Sequence, residues 1–247
     1  MTLLMKIPLV VYSDQPPSHQ ITCITICKNG VIVTGSIEGQ LVFWTITDDK
    51  NELKILAKSM VIAHSSSVES LVDVSNEKLE IKSGVISLAD NQELCLWNSE
   101  TCCCLSNIFL HGRFHTLKAL PCRYSKMMRD CLLACFGYQN IILIIDPFSL
   151  QTIFILKQSN LKSSIGTIRS ISFASSDEKN NDDILLAVTH DNSLITWSLS
   201  CNFGALKDGD HIETIGICKN LPGEINDPCI RIVCVEPKLA YYILICS

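Results

Sequence analysis

Four side chains have types and spacing that could do chemistry: His64, Ser87, Asn91 and Trp97. A histidine that meets a hydroxyl and a further polar group is the raw material of nucleophilic catalysis, with the imidazole taking the hydroxyl proton. The same groups, when buried, instead satisfy one another's donors and hold a fold together. The structural reading is preferred, because no spacing ties other acids or histidines into a reaction centre. The chain contains no G-x-G-x-x-G, G-x4-G-K-[ST], H-E-x-x-H or G-x-S-x-G. No catalytic residue and no cofactor-binding residue is assigned, and no enzyme is expected.

Metal chemistry is the second candidate, because 14 of the 247 residues are cysteine. Zinc ligands come in pairs a few residues apart. Cys23 with Cys27 and Cys131 with Cys135 have three residues between them, and His111 and His115 follow Cys102, Cys103 and Cys104. On a strand, however, an i,i+4 pair is separated by about 13 Å, too far to share one tetrahedral ion. The cysteines therefore read as small core hydrophobes, and no metal is assigned.

Composition limits the remaining classes. Apolar residues make up 47% and charged residues 18%, with a net charge of −5, which excludes disorder for the bulk of the chain and argues against nucleic acid as a partner. The apolar run Ile7–Tyr12 is short for a signal-peptide core, and no run approaches the ~18 apolar residues of a membrane helix. No N-x-[ST] sequon occurs. These features predict a cytoplasmic chain with reduced thiols and no direct membrane insertion.

The elements that must position these residues repeat. Trp44, Trp97 and Trp197 each close a short apolar segment, with leucine three residues earlier (Leu41, Leu94, Leu194) and a polar turn residue six earlier (Glu38, Asn91, Asp191). Ile145-Asp146 takes the place of a fourth copy, so the intervals are 53, 48 and 52 residues. A period near 50 containing several short strands marks a β-propeller blade. The fold class is therefore all-β, a WD-type β-propeller of about four and a half blades forming an incomplete ring. Blades end near Trp44, Trp97, Ile145 and Trp197, with a partial fifth blade over residues 230–247. That half blade predicts a fragment of a longer chain. Within WD-type blades a histidine, a strand hydroxyl, a turn acid and the Trp form one buried set, which assigns His64, Ser87, Asn91 and Trp97 to blade two. Thr34, Glu38 and Trp44 are the partial set of blade one, and Asp191 and Trp197 that of blade four, where Ala187 replaces the hydroxyl residue. Outer strands are expected at 53–60, 102–110 and 152–156. Asp177–Asp183 and Leu206–Asp227 read as polar loops that could carry binding surfaces.

Four stretches carry a resemblance: PPSHQITCI, VIVTGSIEGQLVFW, NIILIIDPFSLQTIFIL and YYILICS. In this order they resemble the amino-terminal WD-repeat region of the rabconnectin beta family of cytosolic scaffolds. The resemblance implies a non-catalytic protein-interaction scaffold that regulates vacuolar-type proton-pump assembly and vesicle acidification. The implied partners are a rabconnectin alpha-like subunit and proton-pump subunits, on endosomal or synaptic vesicle membranes. An adaptor of another complex, such as a ubiquitin-ligase substrate receptor, is the alternative.

Overall fold

The computed structural model describes residues 18–49, 52–74, 83–121, 131–157, 166–174, 184–191 and 193–198, and the backbone of 210–213, 216–218, 229–234 and 241–246. All regular structure among them is β. The first sheet runs in chain order through β1 (Ile21–Ile26), β2 (Ile32–Ser36), β3 (Gln40–Asp49) and β4 (Glu52–Ile62), each antiparallel to the next. The second repeats this with β5 (Val68–Val74), β6 (Gly84–Ala89), β7 (Glu93–Asn98) and β8 (Cys103–Phe109). The third contains β9 (Thr116–Pro121), β10 (Cys131–Phe136), β11 (Ile141–Ile145) and β12 (Thr152–Lys157). The fourth begins with β13 (Ile168–Ala174), β14 (Ile184–Thr189) and β15 (Leu194–Ser198). Among the described residues no sheet closes into a barrel.

Two strands correct the sequence reading of Leu206–Asp227 as a loop. β16 (Asp210–Glu213) pairs parallel with β12, and β17 (Gly216–Cys218) pairs with β15 to complete the fourth sheet. Strands of three and four residues within a polar segment leave no periodicity to detect, and their pairing comes from the neighbouring edge. β18 (Cys229–Cys234) and β19 (Tyr241–Cys246) form a two-stranded antiparallel sheet. Ile7–Tyr12 and Asp177–Asp183 lie outside the described residues.

The repeat extends to its irregularities. A register shift marks the start of β1, β5 and β13, and another falls at the Trp in the pairing of β3 with β4 and of β7 with β8. Bulges of this kind increase the local twist of a strand. Two compact units are formed, Met1–Cys135 with Ile145–Gln151, and Phe136–Ile144 with Thr152–Ser247. In the first, Val33, Leu41, Phe43 and Val61 of the first sheet pack with Val68, Val85, Cys95 and Trp97 of the second. Full burial of a side chain such as Phe43 contributes about 1.5–3 kcal/mol.

Candidate functional site

The histidine loop is set by a glycine. Gly39 holds a φ of +78°, in the region that favours glycine, and its carbonyl accepts the backbone N–H groups of Ala63 and His64 at 3.0 and 2.9 Å. A Cβ at Gly39 would collide with the carbonyl oxygens of His64 and Ser66. The turn of the first sheet thereby fixes where His64 enters the second. Gln92 holds the corresponding turn position in sheet two at φ +68°, and its side chain bonds the backbone N–H and carbonyl of Phe114.

From there the second sheet builds a chain of four polar groups. Trp97 Nε1 donates to Ser87 Oγ at 2.8 Å, Ser87 Oγ lies 2.7 Å from His64 Nε2, and His64 Nδ1 lies 2.9 Å from Glu93 Oε2. Asn107 Nδ2 donates to Glu93 Oε1 at 3.2 Å. A tryptophan can only donate and an ionised carboxylate can only accept, so the hydrogens run one way. With His64 neutral and protonated on Nδ1, Ser87 donates to Nε2 and every donor in the chain has an acceptor.

This places three of the sequence-selected residues together and one elsewhere. His64, Ser87 and Trp97 meet, but Asn91 is exposed and closes its own turn. Its Oδ1 accepts from Glu93 N at 3.2 Å and its amide donates to Ser65 Oγ at 3.1 Å. The group facing the histidine is Glu93, four residues before the Trp rather than six. Glu93 opens β7, where the strand alternation turns its side chain inward.

The first sheet holds a second copy. Trp44 Nε1 donates to Thr34 Oγ1 at 2.9 Å, Thr34 Oγ1 lies 2.8 Å from His19 Nε2, and His19 Nδ1 lies 3.2 Å from Gln40 Oε1. Glu38, six residues before Trp44, is exposed and receives Ser18 Oγ at 3.4 Å. His19 and Gln40 were missed by the sequence reading. One regularity pointed to Gln40: in sheets one and two the hydroxyl residue stands ten before the Trp (Thr34, Ser87) and the terminal acceptor four before it (Gln40, Glu93).

The other two sheets dispense with the chain in different ways. In the third, Ile145 stands where the Trp would be and Cys135 ten residues before it, both fully buried. Burial pushes the Cys135 thiol up, so it behaves as an uncharged apolar filler. Asp146 is spent on the following turn, accepting from Phe148 N at 3.1 Å and Ser149 Oγ at 2.7 Å. In the fourth, Ala187 stands ten residues before Trp197, so the indole N–H turns to the Lys157 carbonyl at 3.0 Å. Asp191 is exposed and not part of a Trp network. Its partial burial pushes its carboxyl up, but hydrogen bonds from Thr189, Gly166 and Ser193 outweigh this and hold it below the ordinary carboxylate value.

The Ser87–His64–Glu93 distances are those of a serine–histidine–acid triad, yet the surroundings deny that chemistry. Ser87 is 0% exposed and His64 3%, so no substrate carbonyl can approach the hydroxyl. The Trp97 N–H already occupies the oxygen, and the first sheet builds the same chain with an amide in place of the acid. The arrangement satisfies buried donors and joins a loop to two strands.

Recurrent four-stranded meanders with Trp on the third strand and a histidine–hydroxyl–Trp chain define a WD-repeat fold. No family model matches the chain. It is similar to WD repeat-containing protein 72 of Homo sapiens, 30% identical over 202 residues, covering 81% of this chain and 17% of that protein. The same-named proteins of Pongo abelii and Mus musculus are each 29% identical, over 204 and 207 residues. The chain thus spans about a sixth of the length of these relatives, 17% in each case. No helix among the described residues is long and apolar enough to cross a membrane.

Proposed function

We propose that the chain is a non-catalytic protein-interaction scaffold, and that it regulates vacuolar-type proton-pump assembly and vesicle acidification with a rabconnectin alpha-like partner. The observation that carries the scaffold reading is the burial of the Ser87–His64–Glu93 chain. The groups with catalytic dimensions are consumed in holding the histidine loop to β6 and β7, which leaves rigid sheets and their exposed edges to meet partners. Ile24, Ile26, Ile55, Ile62 and Phe109, each 60–66% exposed, supply apolar contact area. The finer assignment, with its cytoplasmic setting on endosomal or synaptic vesicle membranes, rests on the four stretches that resemble the rabconnectin beta family.

Affinity purification of the tagged protein from its own cells, under conditions that keep peripheral complexes intact, tests this. Recovery of the alpha-like subunit or pump subunits is the expected result. Recovery of ubiquitin-ligase scaffold proteins instead, or of no stoichiometric partner, would overturn the proton-pump reading.

A further inference from the structure

The two copies of the Trp–hydroxyl–histidine chain differ in a directed way. Where sheet one has Gln40 and Val42, four and two residues before its Trp, sheet two has Glu93 and Cys95. The hydrogen bonds need neither change, since Gln40 already accepts from its histidine and Val42 fills the same strand position. Both changes put metal-ligating atoms beside an imidazole. The donor atoms of His64, Glu93 and Cys95 all lie within 4.8 Å of one another, and all three residues are buried. His64 Nδ1 is 2.9 Å from Glu93 Oε2 and 4.0 Å from Cys95 Sγ.

We propose that His64 Nδ1, Glu93 Oε2 and Cys95 Sγ form a structural site for a thiophilic divalent ion of the zinc class. Zinc holds imidazole nitrogen and carboxylate oxygen at about 2.0–2.2 Å and thiolate sulfur at about 2.3 Å, so tetrahedral donors sit roughly 3.3–3.7 Å apart. The two separations from His64 Nδ1, 2.9 and 4.0 Å, lie a few tenths of an ångström on either side of that range, and Glu93 Oε2 and Cys95 Sγ, within 4.8 Å of each other, close onto the ion as it binds. The charges also suit burial, because a carboxylate and a thiolate neutralise a 2+ ion while the imidazole stays neutral. The surroundings orient the ligands. Ser87 Oγ bonds the far ring nitrogen at 2.7 Å, and Asn107 bonds the second Glu93 oxygen at 3.2 Å. On binding, the ring hydrogen shifts from Nδ1 to Nε2, Ser87 Oγ accepts it beside the Trp97 N–H and swings its own hydroxyl hydrogen away from the ring, and the Cys95 thiol loses its proton. One proton is released for each ion bound. Because the site is enclosed, the ion enters during folding.

The test is metal analysis and cobalt spectroscopy on the full chain folded with Zn2+ or Co2+ present. The expected result is close to one ion per chain and a thiolate-to-cobalt charge-transfer band. Cys95→Val and Glu93→Gln each install the residue that sheet one already uses, so both should fold, which thermal melting checks. Cys95→Val should lose the charge-transfer band and return metal to background, and Glu93→Gln should weaken binding at least ~10-fold. Cys103→Ser, which removes an exposed thiol, should change neither reading. No metal in the parent chain, full metal content in Cys95→Val, or loss of the ion in Cys103→Ser would overturn the site.

Discussion

Gln40 and Glu93 do the same work in two sheets: each stands four residues before a tryptophan and accepts from a histidine Nδ1, at 3.2 Å from His19 and 2.9 Å from His64. The position, rather than the charge, is what the fold requires. An amide oxygen and a carboxylate oxygen both end a chain of donors that starts at an indole N–H.

Removing the central hydroxyl should therefore be costly, and more so where burial is complete. Ser87→Ala leaves the Trp97 N–H and the His64 ring nitrogen without partners in a dry interior, at about 1–3 kcal/mol for each buried group. Thr34→Ala should cost less, because Trp44 and His19 are half-buried and water can replace the hydroxyl. Denaturant unfolding of the two variants should show the difference, and an equal loss would contradict it.

The acceptor four residues before the Trp should tolerate a change of charge but not its removal. Glu93→Gln reproduces the chemistry of Gln40 and should shift stability by less than about 1 kcal/mol. Glu93→Ala strands His64 Nδ1–H and should cost about 1–3 kcal/mol. A metal-free preparation, checked by elemental analysis, gives the comparison cleanly.

Gly39→Ala tests the turn that places the histidine loop. Alanine at φ +78° is strained, and its Cβ would push on the carbonyls of His64 and Ser66. The expected loss exceeds the ~1 kcal/mol of an unfavourable backbone angle alone. Hydrogen exchange should also quicken at the His64 amide, which Gly39 protects.

Thiol chemistry should separate the cysteines by burial. Burial first, and the Asp73 charge second, push the Cys27 thiol up to about 12, against a weaker hydrogen bond from Ser99. Near pH 8 its thiolate fraction is then on the order of one part in ten thousand, and it grows as pH rises toward that value. Cys103 is exposed. Alkylation followed by peptide mapping should mark Cys103 within the native state, while Cys27, Cys95 and Cys135 react only on unfolding.

The recurrence of Trp44, Trp97, Ile145 and Trp197 is legible in the residues because each sits on a short apolar strand after a turn. The substitution of Ile145 does not hide its strand, since that position needs bulk in the core and no hydrogen bond. Asn91 misleads for a physical reason. It is the residue type a tight turn prefers, and it is used for that turn, through its own Oδ1 and the Glu93 amide. Glu93 looks like any acid beside a turn until the pleat of β7 aims it inward. His19 precedes β1 as His64 precedes β5, and its place in the set shows only once β1 is paired with β2 and Thr34 is brought to its ring. β16 and β17 are too short to carry a pattern of their own.

The account's central claim is that Trp97, Ser87, His64 and Glu93 act as one structural unit. A double-mutant cycle on Ser87→Ala and Glu93→Ala, read by equilibrium unfolding, tests it most directly, because these two residues share His64 as a partner. Loss of either end frees the histidine that the other end holds, so the two effects should couple by about 1 kcal/mol or more. Effects that simply add, to within about 0.3–0.5 kcal/mol, would contradict the claim.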